Sequence, residues 1–254
     1  MVYFVGAGSG AVDLITVRGA RLLGEADVII YAGSLVNPQL LDYAKPGCAI
    51  HDSAYMTLEQ VLAVMRQAEA GGQTTVRLHT GDTSLFSAIR EQMDALAEDG
   101  IPYQIVPGVS SFCGAAAALG AEYTLPGVSQ TVIISRMAGR TPVPEREQIK
   151  HLSQFGSTMV LFLSSSLIPQ LAEELLSGGV YTGDTPAAIV YKATWPDEQV
   201  FHCTIATLEA TAKEHHIDKT ALITVGGFLG GCYERSKLYD PSFTTGFRAA
   251  EHGN

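Results

Sequence analysis

Val76-Arg77-Leu78-His79 alternates apolar and ionisable side chains and runs directly into Thr80-Gly81-Asp82, bringing a guanidinium, an imidazole and a carboxylate close together in the chain. A strand buried on both faces of a parallel sheet is normally apolar throughout, so these polar groups need partners, either inside the protein or in a ligand. Asp82 can accept a hydrogen bond from a ligand hydroxyl or amine, or cap a helix beginning near Ser84. His79 and Asp82 are the candidates for moving a proton, with a wholly positional mechanism that uses neither as the alternative. The same residues also admit a structural role, with Arg77 in an internal ion pair and His79 satisfied by backbone. Two further turns of small residues close apolar runs: Gly6-Ala7-Gly8-Ser9-Gly10 after Val2-Tyr3-Phe4-Val5, and Pro107-Gly108-Val109-Ser110-Ser111 after Tyr103-Gln104-Ile105-Val106. Ligands of open parallel sheets bind beyond the carboxyl ends of the strands, where glycine lets backbone amides approach closely. Three such turns in one half of the chain argue for a built crevice.

The elements that must hold these turns are legible as periodicity. After a strand at 2–5, Leu14, Ile15, Val17, Ala20, Leu22 and Leu23 recur at helical spacing, and 26–31 reads as a second strand. A short helical piece at 38–43, a strand at 48–50 and a helix striped by Leu58, Val61, Leu62, Met65 and Ala68 follow. A strand at 74–78, a helix through Ile89, Met93 and Leu96, a strand at 103–106 and an alanine-rich helix complete the order of a doubly wound parallel sheet. The character changes at Thr124-Leu125-Pro126-Gly127, a candidate domain boundary. Beyond it, strands are predicted at 130–134, 158–163, 187–191, 199–203 and 220–225, with helices at 167–176 and 205–214. Some of these strands leave no room for a crossover helix, so a mixed sheet is expected. The predicted organisation is an α/β domain at 1–125, a second α/β domain at 126–229, and a tail at 230–254 that wraps the surface or reaches a partner subunit.

Composition narrows the function classes. A formal charge of −10 disfavours nucleic acid, which needs a basic surface. No apolar run approaches the ~20 residues of a membrane span, and Met-Val-Tyr-Phe-Val leads into a strand rather than a signal peptide, so the cytoplasm is the expected location. Cys48, Cys113, Cys203 and Cys232 are far apart and form no C-x-x-C pair, which points to buried thiols and to no metal site. An acidic substrate would require basic residues concentrated in one place. Arg136 and Arg140, with Gly139 between them, and Arg77, His79 and Lys192 at other strand ends are the candidates for such a rim. Ser164-Ser165-Ser166 reads as a helix N-terminus, and His215-His216 as an exposed helix end.

Gly6-Ala7-Gly8-Ser9-Gly10-Ala11 also satisfies the dinucleotide fingerprint G-x-G-x-x-[GA]. That fingerprint needs an acid at the end of the second strand, yet the strand ends in Tyr31-Ala32-Gly33-Ser34 and Asp27 lies at its other end. This weighs against a nicotinamide oxidoreductase. A noncatalytic nucleotide-sensing module built on the same loops is a third class.

The stretch 6–16, Gly-Ala-Gly-Ser-Gly-Ala-Val-Asp-Leu-Ile-Thr, resembles the opening motif of the tetrapyrrole methyltransferases. Thr80-Gly81-Asp82 resembles their G-G-D-P turn, and Val106-Pro107-Gly108-Val109-Ser110-Ser111 their P-G-[IV]-[ST]-[SA] segment. The match runs essentially end to end. Four longer segments, at 31–36, 79–82, 135–145 and 191–198, are similar to the branch that methylates C11 of precorrin-4 or cobalt-precorrin-4 in cobalamin synthesis. A different ring position is the alternative within the family.

The resemblance implies two α/β domains with S-adenosylmethionine in the cleft between them, an acidic tetrapyrrole substrate and a homodimer. The cofactor contacts it implies are Gly81, Asp82, Leu85, Phe86, Ser110 and Ser111 in the first half. In the second they are Phe162, Leu163, Tyr191, Lys192, Ala193, Ala221, Leu222 and Ile223, acting mainly through backbone. Phe162, Leu163 and Leu222 would be buried in strands in any case. Ser9, Arg77, Arg136 and Arg140 are the expected substrate contacts. Two departures from the opening motif stand out, Ser9 for proline and Ala11 for aspartate; Ser9 frees φ and adds a donor. In the second turn Thr83 replaces proline and Phe86 a frequent tyrosine. Methyl transfer from a sulfonium is an in-line displacement, in which positioning can supply ~7–11 kcal/mol. No protein nucleophile is expected.

Overall fold

The computed structural model describes residues 1–251, and the last three residues of the predicted tail, 252–254, lie outside the described residues. The chain forms two compact units: Met1–Ala118 together with Lys192–Gln199, and Leu119–Tyr191 together with the chain from Val200 onward. Among the described residues no helix is long and apolar enough to cross a membrane.

In the first unit the elements are β1 (Val2–Gly6), α1 (Val17–Glu25), β2 (Val28–Tyr31), β3 (Ala49–Asp52), α2 (Leu58–Ala70), β4 (Thr75–His79), α3 (Arg90–Glu98), β5 (Tyr103–Val106) and α4 (Ser111–Leu119). The sheet order is β3-β2-β4-β1-β5, and neighbouring strands run parallel. Strand alternation sends Val5, Ile29, Val76 and Leu78 to one face, against Leu22 and Leu23 of α1. It sends Phe4 and Ile30 to the other, against Val61, Leu62 and Met65 of α2 and Leu96 of α3. Both faces are covered, as the doubly wound reading requires.

Local chemistry sets the helix starts. The Thr16 side chain accepts from the Gly19 amide to cap α1, and Thr57 and Gln60 form a reciprocal capping box on α2. Two local expectations change. The predicted first helix is broken at Ile15 and Thr16 into a 3-10 turn at Val12–Leu14 and α1, because Ile15 is extended with ψ 144°. No helix begins near Ser84: α3 starts at Arg90, and Phe86 and Ala88 take left-handed φ of 53° and 50°, which no helix accommodates.

The second unit contains β6 (Val132–Arg136), a short helix α5 (Ile149–Leu152), β7 (Thr158–Phe162), α6 (Ile168–Ser177), β8 (Pro186–Tyr191), β9 (Gln199–Thr204), α7 (Leu208–Glu214) and β10 (Ala221–Val225). The order is β6-β7-β10-β8-β9, with β6 and β7 parallel and β10 antiparallel to both β7 and β8, a mixed sheet as expected. Met159, Leu161, Ile189 and Ile223 face Leu171 and Leu175 of α6 and Leu208 of α7 in one core. The tail is fastened by Glu234 N–H donating to Pro126 O at 3.0 Å, and Arg248 Nη2 gathers the carbonyls of Leu238, Asp240 and Phe243. The cysteines are free, and the expected burial is not met: Cys48 and Cys203 are half-buried, and Cys113, in the first turns of α4, and Cys232, in the glycine-rich start of the tail, are exposed.

Candidate functional site

Because β1 pairs with both β4 and β5, the three small-residue turns lie side by side at the carboxyl ends of neighbouring strands. They are fused. Ala7 N–H donates to His79 O at 2.7 Å, and Gly8 and Gly81 exchange both backbone bonds, at 3.2 and 2.8 Å. A Cβ on Gly6 would fall 2.6 Å from both Gly108 Cα and Gly81 O, so glycine is required here for backbone-to-backbone contact between turns. Asp82 completes the fusion: one carboxylate oxygen accepts from Gly108 N–H at 2.7 Å, and the other accepts from Ser84 N–H at 2.9 Å and from the Ser84 hydroxyl. Partial burial pushes the Asp82 carboxyl up, but the bonds from the Ser84 side chain and the Gly108, Ser84 and Thr83 amides outweigh it and hold the pKa below the usual value. Asp82 is therefore an anionic clamp between two turns, and a poor proton acceptor.

Arg77 does not stand at a rim. Its side chain points into the layer of α2 and α3, where Nε donates to Gln92 Oε1 and Nη1 to Ile30 O, both at 3.2 Å, and it is only 6% exposed. These partners are neutral, so among the described residues Arg77 makes no internal ion pair of the expected kind, and burial lowers the guanidinium to about 10. His79 lies on the same face, 6.3 Å from the Phe4 ring, and Nε2 is buried without a hydrogen-bond partner. Burial first, and the Arg77 charge second, push its pKa down to about 3, so the imidazole is neutral and very weakly basic at neutral pH. Neither proton-transfer candidate is arranged as a base.

Ser9 is buried, and its hydroxyl pairs with Thr194 Oγ1 at 3.0 Å. Thr194 Oγ1 also accepts from Ala11 N–H at 3.1 Å, while Asn37 Nδ2 donates to Gly10 O at 2.9 Å. The Trp195 ring lies against Gly10 where a Cβ would stand. The segment Lys192–Gln199 thus packs on the first glycine turn, within the first unit. Of the second unit's candidates, Phe162, Tyr191, Ala221, Leu222 and Ile223 lie on strands. Leu163 departs from the expected burial: it follows β7 with φ 51° and is 63% exposed. Ser164 and Ser165 tie the surrounding backbone together. Ser164 Oγ accepts from Met137 N–H at 2.9 Å and donates to Phe162 O at 2.7 Å, and Ser165 Oγ donates to Ala221 O at 3.0 Å. Ser110 is buried at the start of α4, beside half-buried Ser111.

Arg136 and Arg140 divide their roles. Arg136 Nη1 donates to Met137 O and Thr141 O, and Nη2 to Pro142 O at 2.8 Å, so this guanidinium shapes the loop from inside. Arg140 is exposed on that loop. Sequence reasoning missed Thr194, Gln92 and the serine ties as organising residues.

A sequence profile of the Tetrapyrrole (Corrin/Porphyrin) Methylases matches residues 1–209. A protein of Methanocaldococcus jannaschii named cobalt-precorrin-4 C(11)-methyltransferase is 49% identical over 97% of this chain and 95% of its own length. A Sinorhizobium protein named precorrin-4 C(11)-methyltransferase is 45% identical over 97% and 98%. Among solved structures, a cobalt-precorrin-4 methyltransferase of cobalamin biosynthesis superposes with a TM-score of 0.88 at 44% identity, over 91% of this chain and 96% of the other. A uroporphyrin-III C-methyltransferase of Thermus thermophilus, solved with S-adenosylhomocysteine, gives 0.73 at 26% identity over 90% and 93%.

Proposed function

This chain belongs to the tetrapyrrole (corrin/porphyrin) methylases, and from that membership we infer that it is the C11-methyltransferase of precorrin-4 or cobalt-precorrin-4 in cobalamin biosynthesis. Identities of 45% and 49% over nearly the full length of both chains to enzymes of that name carry the reading.

We propose S-adenosylmethionine as the methyl donor. Its sulfonium supplies an electrophilic methyl group, so the chain needs no nucleophile of its own. The proposed holding residues are Gly81, Asp82, Leu85, Phe86, Ser110 and Ser111 from the first unit, with Lys192 and Ala193. From the second they are Phe162, Leu163, Tyr191, Ala221, Leu222 and Ile223. The backbone fits this use. Phe86, Leu163 and Lys192 hold left-handed φ of 53°, 51° and 46°, a conformation costing roughly 1–3 kcal/mol each that persists where the surroundings over-determine it. Such strain clusters at ligand clamps. Exposed Phe86 and Leu163 offer apolar surface to a heterocycle, while the Asp82 carboxylate fixes the second turn against the third.

The chain's contribution to chemistry is positional. The second and third turns fix the donor side, and the acceptor must be held in line with it away from water. With Asp82 engaged and His79 buried and neutral, no side chain among the candidates takes a proton in the transfer step. The carboxylates of the macrocycle are matched by Arg140 on the loop that Arg136 shapes, and Ser9 belongs to the acceptor side. A homodimer and a cytoplasmic location complete the reading; light scattering checks the first.

The test is turnover. Purified protein with S-adenosylmethionine and enzymatically generated precorrin-4, with and without cobalt, is expected to give one product methylated at C11 by mass spectrometry and NMR. A methyl group at another ring carbon would reassign the enzyme within its family. Absence of transfer to either form would refute the assignment.

A further inference from the structure

The segment Lys192–Gln199 is built more tightly than a connection between two strands requires. Lys192 and Thr194 both take left-handed φ, 46° and 68°, and for a β-branched residue such as Thr194 that is a true outlier. The segment supplies what holds it there. Thr194 N–H donates to Glu198 Oε2 at 2.5 Å, and Trp195 N–H to Lys192 O and Glu198 N–H to Trp195 O, both at 3.0 Å. Lys192 Nζ lies 2.5 Å from Asp197 Oδ2 and 5.9 Å from the Trp195 ring centroid. The knot presents two groups to the first glycine turn, the Thr194 hydroxyl and the Trp195 ring.

The turn is shaped to receive them. Ser9 Oγ and Ala11 N–H converge on Thr194 Oγ1, and a Cβ on Gly10 would occupy the Trp195 ring. Gly114 of α4 leaves the space that Ser9 and Thr194 fill: a Cβ there would lie 2.9 Å from Ser9 Oγ and 3.1 Å from Thr194 Cγ2. Position 9 is a serine, free of the φ restriction of a proline ring, and it anchors the turn through its hydroxyl.

We propose that Thr194 is a positioning residue, a latch that fixes the turn from Gly8 to Ala11 in the geometry that receives the macrocycle. It acts through Ser9 and the Ala11 amide and touches no reacting atom. The inference rests on the proposed function in assigning the turn to the macrocycle side; the latch itself is tested separately from that assignment.

Three variants of the full chain test it. Thr194→Val keeps the shape and the branched Cβ but loses the hydroxyl, Thr194→Ser keeps the hydroxyl, and Ser9→Ala removes one of its partners. Amide hydrogen exchange reads the latch without any ligand: Ala11 N–H is expected to lose roughly tenfold protection in Thr194→Val and to keep it in Thr194→Ser. With precorrin-4, Thr194→Val is expected to raise KM for the macrocycle roughly tenfold while the affinity for S-adenosylhomocysteine and kcat stay within twofold, and Thr194→Ser to restore KM. Without ligand, Ala11 protection in Ser9→Ala combined with Thr194→Val is expected to be no lower than in Thr194→Val alone, since both act on one bond network. Unchanged Ala11 protection in Thr194→Val would overturn the latch, and an equal loss of affinity for both ligands would reduce it to general stability. If the unaltered enzyme transfers no methyl group, the functional assignment fails while the exchange result still decides whether the latch exists.

Discussion

His79 makes the stability of the first unit depend on pH in a direction set by its burial. The imidazole titrates at about 3 in the folded protein against 6.5 in the unfolded chain, so the unfolded state binds the extra proton as pH falls through 6.5. Stability is lost from that point downward and is unaffected by this group above it. Integrating the two titrations between about pH 7 and about pH 5 gives a loss of about 2 kcal/mol from this one side chain, reaching about 3 kcal/mol near pH 4. The perturbation is His79→Gln, which keeps polarity without a titrating group. Urea unfolding of both proteins at about pH 7 and about pH 5 isolates the effect, because the carboxylates elsewhere titrate alike in both and cancel in the difference. The unaltered chain is expected to lose about 2 kcal/mol more than the variant on acidification. Equal losses would mean that the imidazole reaches water or a partner in the folded state, and that the buried, unpaired Nε2 is wrong.

The fused turns predict that Gly108→Ala, which drives a methyl group into Gly6 Cα and Gly81 O, lowers stability by roughly 1–3 kcal/mol, since the opposing atoms are backbone; thermal unfolding measures it, and a neutral result would show that the turns can part. Arg140→Ala is expected to weaken macrocycle binding about tenfold with S-adenosylhomocysteine affinity unchanged in a calorimetric titration, as for loss of one charge-assisted bond. Arg136→Ala releases three carbonyls, Met137, Thr141 and Pro142, and should add to the same loss of macrocycle affinity increased proteolysis within 137–142. Macrocycle affinity unchanged in both variants would remove this loop from the acceptor site.

The parallel sheet was legible because its elements obey local rules. The stripe through Leu58, Val61, Leu62, Met65 and Ala68 is one helical face, while the capping box at Thr57 and Gln60 that starts the helix came to light only in the fold. The three turns were legible for the same reason: each glycine cluster ends an apolar run. What could not be read is how the turns use their glycines. Gly6 and Gly108 are small for each other's sake, a relation between strands about a hundred residues apart in the chain that β1–β5 pairing alone creates. Arg77 was misplaced because alternation says that a side chain leaves the sheet but not what waits on the other side. There the partner is Gln92 of α3, whose own local pattern marks it as an ordinary polar helix residue.

Thr194 shows the same limit at the site itself. Lys192 and Thr194 are left-handed although neither is glycine, so no propensity marks the turn, and the ion pair and carboxylate that hold it come from Asp197 and Glu198 inside an unremarkable polar stretch. The segment belongs to the first unit although it lies in the chain between two strands of the second sheet, β8 and β9. Local composition cannot report such an excursion, because a loop reads alike whichever unit it packs on. A turn that gives up a ring-fixed φ must recover its order from a contact, and a buried hydroxyl requires a partner. Position 9 offered in the sequence only a freed φ and an added donor, and the fold alone shows that Thr194, 185 residues away, takes up its hydroxyl.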